Sequence, residues 1–208
     1  MPLIIFDFDG TLADTQSSIV ETFHATMDRM GRPRISDEAI RSVIGLPLKQ
    51  NFTVAAGFSD AEADEAVIIY RELFDEIAHR SVVLFPGVLE TVRTLFERGV
   101  PMAVASSRSE RSLHDLLGLL GLDQYLTHIY GTGSVEHGKP APDMVLLILD
   151  EMKADPKQTL VIGDTSFDIE MGSAAGCYTC AVTYGNQSLE QLSASKPNHI
   201  INDLREIL

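Results

Sequence analysis

The chain has 208 residues, of which 45% are hydrophobic and 22% charged, and these values fit one globular domain with at most a modest insertion. The 16 basic residues against 30 acidic residues leave a formal net charge of −14. An acidic excess of this size argues against nucleic acid as a partner, because a basic surface is needed to displace the counterions of its phosphates.

Targeting and membrane segments are not expected either. The first residues lack the basic and apolar regions of a secretory signal. No run approaches the ~18 apolar residues of a membrane span. Two cysteines exclude a disulfide scaffold and indicate a reducing compartment. The sequence therefore predicts a cytoplasmic protein with no membrane partner.

Short apolar runs alternate with helical patterns along most of the chain, which is typical of a parallel sheet covered by helices on both faces. Continuous apolar runs predict buried strands at 3–6, 102–105, 159–162, 177–183 and 199–201. Apolar residues at helical spacing predict helices at 86–98, 109–119, 142–152 and 167–175. The fold class expected from this alternation is α/β.

Residues 15–80 interrupt the alternation and contain no clear strand pattern. Apolar side chains recur there at helical spacing, for example Val67, Tyr70 and Phe74, with acidic residues on the opposite side. We therefore expect an all-helical inserted domain at 15–80, and a sheet domain built from 1–14 and 81–208.

Acidic residues follow two of the predicted strands. Asp7 and Asp9 come directly after the first strand, and Asp164 and Asp168 follow the strand at 159–162. Ligands bind at the carboxyl ends of parallel strands, and carboxylates that lie close together stay ionised only beside a cation. Carboxylate oxygens suit Mg²⁺, so the pattern predicts a magnesium site. The alternatives are a polar strand end and a helix cap at Asp164.

Two further segments have the chemistry of anion binding. Ser106, Ser107 and Arg108 follow the strand at 102–105, where hydroxyl and backbone N–H groups at a strand-to-helix turn can hold an anion. Lys139 lies in a loop stiffened by two prolines, and its ammonium can neutralise a phosphate. The alternatives are an ordinary serine N-cap and a surface lysine.

Together and in this order, the four segments resemble the motifs of the haloacid dehalogenase-like (HAD) phosphohydrolase superfamily. Residues 7–11 look like its first motif, Ser106 like its second, Lys139 like its third, and Asp164 with Asp168 like its fourth. The helical insertion resembles the C1 cap of that superfamily. The resemblance implies a Rossmann-like core with an inserted all-helical cap domain, and it covers essentially the whole chain.

The resemblance also implies the roles of the site residues. Asp7 is expected to be the nucleophile that forms an aspartyl-phosphate, and Asp9 the general acid and base. Mg²⁺ is expected on the carboxylates of Asp7 and Asp164 and on the backbone carbonyl of Asp9. Asp168 is expected to orient a metal-bound water or Lys139, with direct ligation as an alternative. The residues expected to hold the substrate or its phosphate oxygens are Ser106, Lys139, Gly10, Thr11, Ser107, Arg108 and Lys49.

Within the superfamily the chain resembles phosphoglycolate phosphatases and related pyrophosphatases, because the segment 44–49 looks like their specificity loop. The expected partner is a small phosphorylated metabolite, bound by a monomer or homodimer. Phosphoglycolate is the first choice, with inorganic pyrophosphate and a sugar phosphate as alternatives.

Other classes are less favoured by particular residues. A β-phosphoglucomutase would carry His in place of Ile19 and Arg in place of Leu48. A dehalogenase would lack the carboxylate of Asp9. A non-catalytic binding module would be favoured by loss of the motif residues, and all are present. Cys177 and Cys180 have C-x-x-C spacing, but they are best interpreted as buried small hydrophobes on a strand.

Overall fold

The computed structural model describes residues 2–208, leaving aside the side chain of His79, so the first residue of the predicted segment 1–14 lies outside it. The strands are β1 (Leu3–Phe6), β2 (Ala13–Asp14), β3 (Val83–Leu84), β4 (Met102–Ser109), β5 (His128–Thr132), β6 (Thr159–Gly163), β7 (Tyr178–Val182) and β8 (His199–Ile201). The α-helices are α1 (Gln16–Arg29), α2 (Asp37–Arg41), α3 (Leu48–Ala55), α4 (Asp60–Ser81), α5 (Val88–Glu97), α6 (Glu110–Leu119), α7 (Asp143–Glu151), α8 (Ser166–Ala174) and α9 (Leu189–Ala194).

Six of the strands form one parallel sheet in the order β5-β4-β1-β6-β7-β8. Strand β1 lies in its centre, where Phe6 is in register with Val104 of β4 and Ile162 of β6. The residues that follow β1, β4 and β6 therefore share one edge of the sheet. The α/β class and the Rossmann-like parallel sheet predicted from the sequence are confirmed.

The two faces of the sheet are covered by separate apolar layers. Successive side chains of a strand point to opposite faces. Accordingly, Ile4 and Phe6 belong to one buried cluster and Leu3 and Ile5 to another. All four residues of β1 are buried, which is why the strand reads as a continuous apolar run.

The insertion after β1 folds as four helices, α1 to α4, and the two segments of chain that lead into it and out of it pair as the short antiparallel strands β2 and β3. Its interior is built on aromatic rings. Phe23 of α1 stacks on Phe52 of α3 at 4.2 Å between centroids, and Tyr70 of α4 meets both rings edge-on. Helix α4 begins at a capping box formed by Ser59 and Glu62.

Strand β5 and the β2–β3 pair are absent from the sequence-based prediction. The sequence of β5, HIYGT, is short and mixed, and only Tyr130 and Gly131 are buried, because the strand lies at the sheet edge. Strand β4 continues to Ser109, beyond the predicted end at residue 105, through polar residues that lie at the site. Cys177 and Cys180 are buried and form no disulfide. None of the described helices is long and apolar enough to span a membrane.

Candidate active site

Three carboxylates converge at the carboxyl edge of the sheet. Asp7 follows β1, Asp164 follows β6, and Asp168 lies in the first turn of α8. One oxygen from each lies within 4.8 Å of the others, and all three residues are buried. Asp168 is fixed by a capping box, in which the backbone N–H and the hydroxyl of Thr165 donate to its Oδ2 at 3.1 and 2.7 Å.

Lys139 supplies the cation of this cluster. Its side chain is completely buried, and its ammonium donates to Asp7 and, at 2.5 Å, to Asp168. Burial lowers the pKa of Lys139, but the carboxylates of Asp168 and Asp7 outweigh burial and raise it above its ordinary value. The ammonium therefore stays charged and fixes the orientation of both carboxylates.

One ammonium does not balance three carboxylates. Burial raises the pKa of Asp7 well above its ordinary value, although the charge of Lys139 opposes the shift. Burial and the neighbouring Asp168 raise the pKa of Asp164 to about 7. Buried acids that are hard to ionise become ionised beside a divalent cation, so the donor set fits Mg²⁺.

The backbone carbonyl of Asp9 also lies at this cluster. The side-chain nitrogen of Asn186 donates to that carbonyl at 3.3 Å and to Oδ2 of Asp164 at 2.8 Å. Gly10 between them has φ +93°, and a Cβ at that position would lie 2.2 Å from Oδ2 of Asp164. The glycine is therefore required by the close approach of the two segments.

Asn186 is a site residue that the sequence reasoning missed. Its backbone N–H donates to Oδ2 of Asp164 at 2.6 Å, so it holds that carboxylate through two groups. It lies in the loop after β7, and neighbouring Tyr184 donates from its hydroxyl to the carbonyl of Thr11 at 2.9 Å. In the sequence, the one feature that indicates a role in the site is its position shortly after the strand predicted at 177–183.

The carboxylate of Asp9 lies outside the three-carboxylate cluster, so of the four acidic residues that follow the two strands, Asp7, Asp164 and Asp168 come together and Asp9 does not. The guanidinium of Arg108 binds both of its oxygens, with Nε donating to Oδ2 at 3.1 Å. Thr15 donates to Oδ1 at 2.7 Å. A buried guanidinium therefore attracts this acid away from the cluster that surrounds Lys139.

The remaining predicted phosphate-binding residues occupy different positions. Ser106 is buried and lines the same cleft as Asp7, and its hydroxyl accepts a bond from the N–H of Arg108 at 3.3 Å. Thr11 donates to Oδ1 of Asp164 at 3.3 Å. The hydroxyl of Ser107 donates to the carbonyl of Gly45, in the insertion, at 2.6 Å. Ser107 therefore joins the sheet domain to the insertion.

A cleft of about 640 Å³ lies between the sheet domain and the insertion. Asp7, Asp9 and Ser106 line it from the sheet domain, and residues of α3 and α4 line it from the insertion. Lys49 also lines the cleft, where its ammonium pairs with Asp64 at 2.8 Å. A cleft of this size is in the range that encloses small-molecule ligands.

Comparison with known proteins matches this arrangement to one family. Residues 4–182 match the model of the haloacid dehalogenase-like hydrolases. The chain is 36% identical over its whole length to the "Probable phosphatase IndB" of Dickeya dadantii, covering 92% of that protein. It is 30% identical over 99% of its length to a phosphoglycolate phosphatase of Pseudomonas putida, covering 78% of it.

A solved structure shows the same relationship. A haloacid dehalogenase-like family hydrolase from Streptococcus pneumoniae superposes with a TM-score of 0.88 at 27% identity, over 100% of this chain and 96% of the other. The superfamily recognised from the four motifs is therefore confirmed. The chain belongs to the haloacid dehalogenase-like hydrolases.

Proposed function

We propose that the protein is a Mg²⁺-dependent phosphatase that hydrolyses a small phosphate monoester through an aspartyl-phosphate on Asp7. The observation that carries this proposal is the burial of Asp7, Asp164 and Asp168 around Lys139, beside a cleft that Asp7 itself lines. Names of the relatives support the same class, since two are called phosphatase and phosphoglycolate phosphatase.

In the first step a carboxylate oxygen of Asp7 attacks phosphorus, the new bond forms, and the bond from phosphorus to the leaving oxygen breaks. Lys139 holds the attacking carboxylate in one orientation. The carboxylates of Asp7 and Asp164 and the carbonyl of Asp9 would hold Mg²⁺. When bound, its positive charge offsets the repulsion between the anionic nucleophile and the anionic phosphate.

Asp9 is the proposed acid and base. Its carboxyl group gives a proton to the leaving oxygen, and its carboxylate then takes a proton from the water that attacks phosphorus. The second attack releases inorganic phosphate and restores Asp7. Thr15 and Arg108 hold Asp9 at the cleft, where its side chain is 15% exposed and can reach a ligand.

The proposed substrate is a small phosphorylated metabolite of the cytoplasm. Phosphoglycolate is supported by the name of the Pseudomonas putida relative. Pyrophosphate and sugar phosphates are the alternatives. Arg108 and Lys49 line the cleft as the candidate partners of an anionic leaving group.

The test uses p-nitrophenyl phosphate with the purified full chain. Turnover with Mg²⁺ is expected to stop when EDTA is added and to return with excess Mg²⁺. In an Asp9→Asn variant, slow hydrolysis of the intermediate should give a burst of nitrophenolate that is stoichiometric with enzyme. Folded protein without chelator-sensitive turnover would instead favour a binding module.

A further inference from the structure

The loop that follows β7 lies against both segments that are expected to hold the metal. The side-chain nitrogen of Asn186 in this loop donates to the carbonyl of Asp9 at 3.3 Å and to Oδ2 of Asp164 at 2.8 Å. A Cβ at neighbouring Gly185 would lie 2.4 Å from Oδ2 of Asp164 and 2.4 Å from the carbonyl oxygen of Gly10. The absence of a side chain at residue 185 therefore lets the loop approach both segments closely.

Asn186 determines which oxygen of Asp164 is left to bind a cation. Oδ2 accepts from the backbone N–H and from the side-chain nitrogen of Asn186, at 2.6 and 2.8 Å. A carboxylate oxygen has about two lone-pair sites, so these two bonds fill the capacity of Oδ2. Oδ1 accepts from Thr11 at 3.3 Å and keeps its second site for a metal. The carbonyl of Asp9 likewise has a second lone pair beyond the one that faces Asn186.

The orientation of the Asn186 amide is fixed from the insertion. Gln16, the first residue of α1, donates from its side-chain nitrogen to Oδ1 of Asn186 at 3.1 Å. On the other side of the amide, the carbonyl of Asp9 and Oδ2 of Asp164 are both acceptors. With a donor on one side and two acceptors on the other, only one orientation of the amide satisfies all three contacts.

These contacts form a hydrogen-bond relay that runs from Gln16 through Asn186 to Asp164 and the carbonyl of Asp9. Gln16 and Asn186 are both half-buried, so the bond between them is partly shielded from water. Without the amide of Gln16, the side chain of Asn186 would be free to turn, and its nitrogen would no longer be held against both ligand oxygens. The amide of Gln16 thereby acts on those oxygens through an intermediate residue.

We propose that Asn186 is a positioning residue for Mg²⁺ binding and that Gln16 acts through it, so that the metal affinity of the sheet domain depends on a side chain of the inserted helices. This inference rests on the proposed Mg²⁺-dependent function and adds to it two residues that are not assigned as ligands. Substitution of groups that orient metal ligands typically changes metal affinity by about 10- to 100-fold.

The test measures the Kd of the purified full chain for Mg²⁺ alone by isothermal titration calorimetry, after bound metal has been removed with EDTA and the EDTA by dialysis. Asn186→Ala should raise the Kd at least about tenfold, because both ligand groups lose the donor that orients them. Gln16→Ala should raise it about threefold, which is the value of one modest hydrogen bond.

Two controls separate this effect from a general loss of stability. Asn198 is a loop asparagine whose side-chain oxygen accepts from the N–H and the hydroxyl of Thr179, at 2.8 and 3.2 Å, near the beginning of β7. Gln50 is an exposed glutamine on α3. Asn198→Ala and Gln50→Ala should keep the wild-type Kd for Mg²⁺, whatever Tm is measured for them.

Gln16→Met distinguishes the hydrogen bond from packing. Methionine keeps the length of the side chain and has no amide to donate. If the hydrogen bond orients Asn186, Gln16→Met should raise the Kd as much as Gln16→Ala. If only the volume of the side chain matters, Gln16→Met should keep the wild-type Kd, and the relay is wrong.

The double variant tests whether Gln16 acts through Asn186. In a chain that already carries Asn186→Ala, Gln16→Ala should change the Kd no further, because the residue on which it acts is gone. Two fold-changes that multiply in the double variant would show that Gln16 acts independently and would overturn the relay.

Further results would overturn the inference while leaving the phosphatase function intact. A wild-type Kd in Asn186→Ala would show that the ligands keep their positions without the amide, and a lower Kd would show that the amide competes with the ion. If Asn186→Ala fails to fold, Gln16→Ala and Gln16→Met decide by the same comparison. A wild type with neither measurable Mg²⁺ binding nor chelator-sensitive turnover of p-nitrophenyl phosphate would overturn both proposals.

Discussion

Arg108 and Asp9 form a bidentate ion pair at the carboxyl edge of the sheet. Both oxygens of the carboxylate accept from the guanidinium, whose plane lies over the ring of Phe74 at 4.2 Å. Phe74 belongs to α4, so the side chain of Arg108 contacts both Asp9, the proposed general acid and base, and the helical insertion. Burial lowers the pKa of Arg108, but Asp9 outweighs burial and raises it, so the guanidinium stays charged. Arg108 is therefore a positioning residue for Asp9 in this structure.

Arg108→Lys tests this role, because a lysine keeps the charge but cannot bind both oxygens of a carboxylate in fixed geometry. We expect kcat for glycerol phosphate to fall about tenfold, and kcat for p-nitrophenyl phosphate to fall much less, since nitrophenolate needs little protonation to leave. The measurement is the ratio of the two kcat values.

The control is Arg205→Lys, which alters a similar pair between exposed Arg205 and half-buried Asp203, outside the cleft lining. That variant should keep the wild-type ratio. If Arg108→Lys lowers both kcat values by the same factor, Arg108 does not act through the acid function of Asp9.

Asp7→Asn tests the nucleophile. The amide cannot attack phosphorus, so turnover of p-nitrophenyl phosphate should fall by at least about 10³-fold. The fold should persist, because Lys139 keeps its bond to Asp168 and a buried carboxyl with a raised pKa is replaced by a neutral group. Turnover and Tm are measured on the same sample. Activity above a few per cent of wild type would reject the assignment.

Binding of Mg²⁺ is tested by thermal unfolding with and without the ion. Mg²⁺ that binds only the native state should raise the Tm of wild type, and the rise should grow with the logarithm of the Mg²⁺ concentration above its Kd. Asp164→Asn should abolish that rise, whereas the exposed control Asp123→Asn should keep it. The raised pKa of Asp164, about 7, means that protons compete with the metal below that pH.

The Mg²⁺-induced rise in Tm should therefore be larger near pH 8 than near pH 6 in wild type. The sign follows from the shift: the carboxyl gains its proton as the pH falls through about 7, and the protonated form cannot ligate. A rise in Tm that is equal at both pH values, or undiminished in Asp164→Asn, would exclude this residue as a ligand.

The sequence was sufficient for those parts of the site that follow from strand order. Asp7 and Asp164 each follow a continuous apolar run, and parallel strands bring such ends to one edge. Their adjacency required only that β1 lie beside β6. Lys139 could be recognised by its motif, but its complete burial between Asp7 and Asp168 depends on a loop path that no periodicity encodes.

The parts that were missed depend on contacts between segments distant in the chain. Asn186 meets Asp164 and the carbonyl of Asp9 from the loop after β7, and a single asparagine in a loop has no pattern that would distinguish it. The pairing of Arg108 with Asp9 joins positions 99 residues apart. Strand β5 was missed because an edge strand with two buried residues lacks a continuous apolar run.

Gly10→Ala tests how closely the first motif approaches the fourth. A methyl group at Gly10 would lie 2.2 Å from Oδ2 of Asp164 and 2.3 Å from Nδ2 of Asn186, and φ of +93° disfavours any side chain. Gly57→Ala is the matched control, since Gly57 has φ +67° but nothing within 4 Å of its Cβ position. The control isolates backbone strain, worth roughly 1–2 kcal/mol.

Gly10→Ala should lower the Tm by more than Gly57→Ala and should also abolish the Mg²⁺-induced rise in Tm, because Asp164 must move away from the carbonyl of Asp9. Gly57→Ala should keep that rise. Equal losses of Tm in the two variants, with the response to Mg²⁺ retained in both, would show that the chain near Gly10 can accept a side chain without disturbing Asp164. The close approach of Gly10 to Asp164 would then not be required for Mg²⁺ binding.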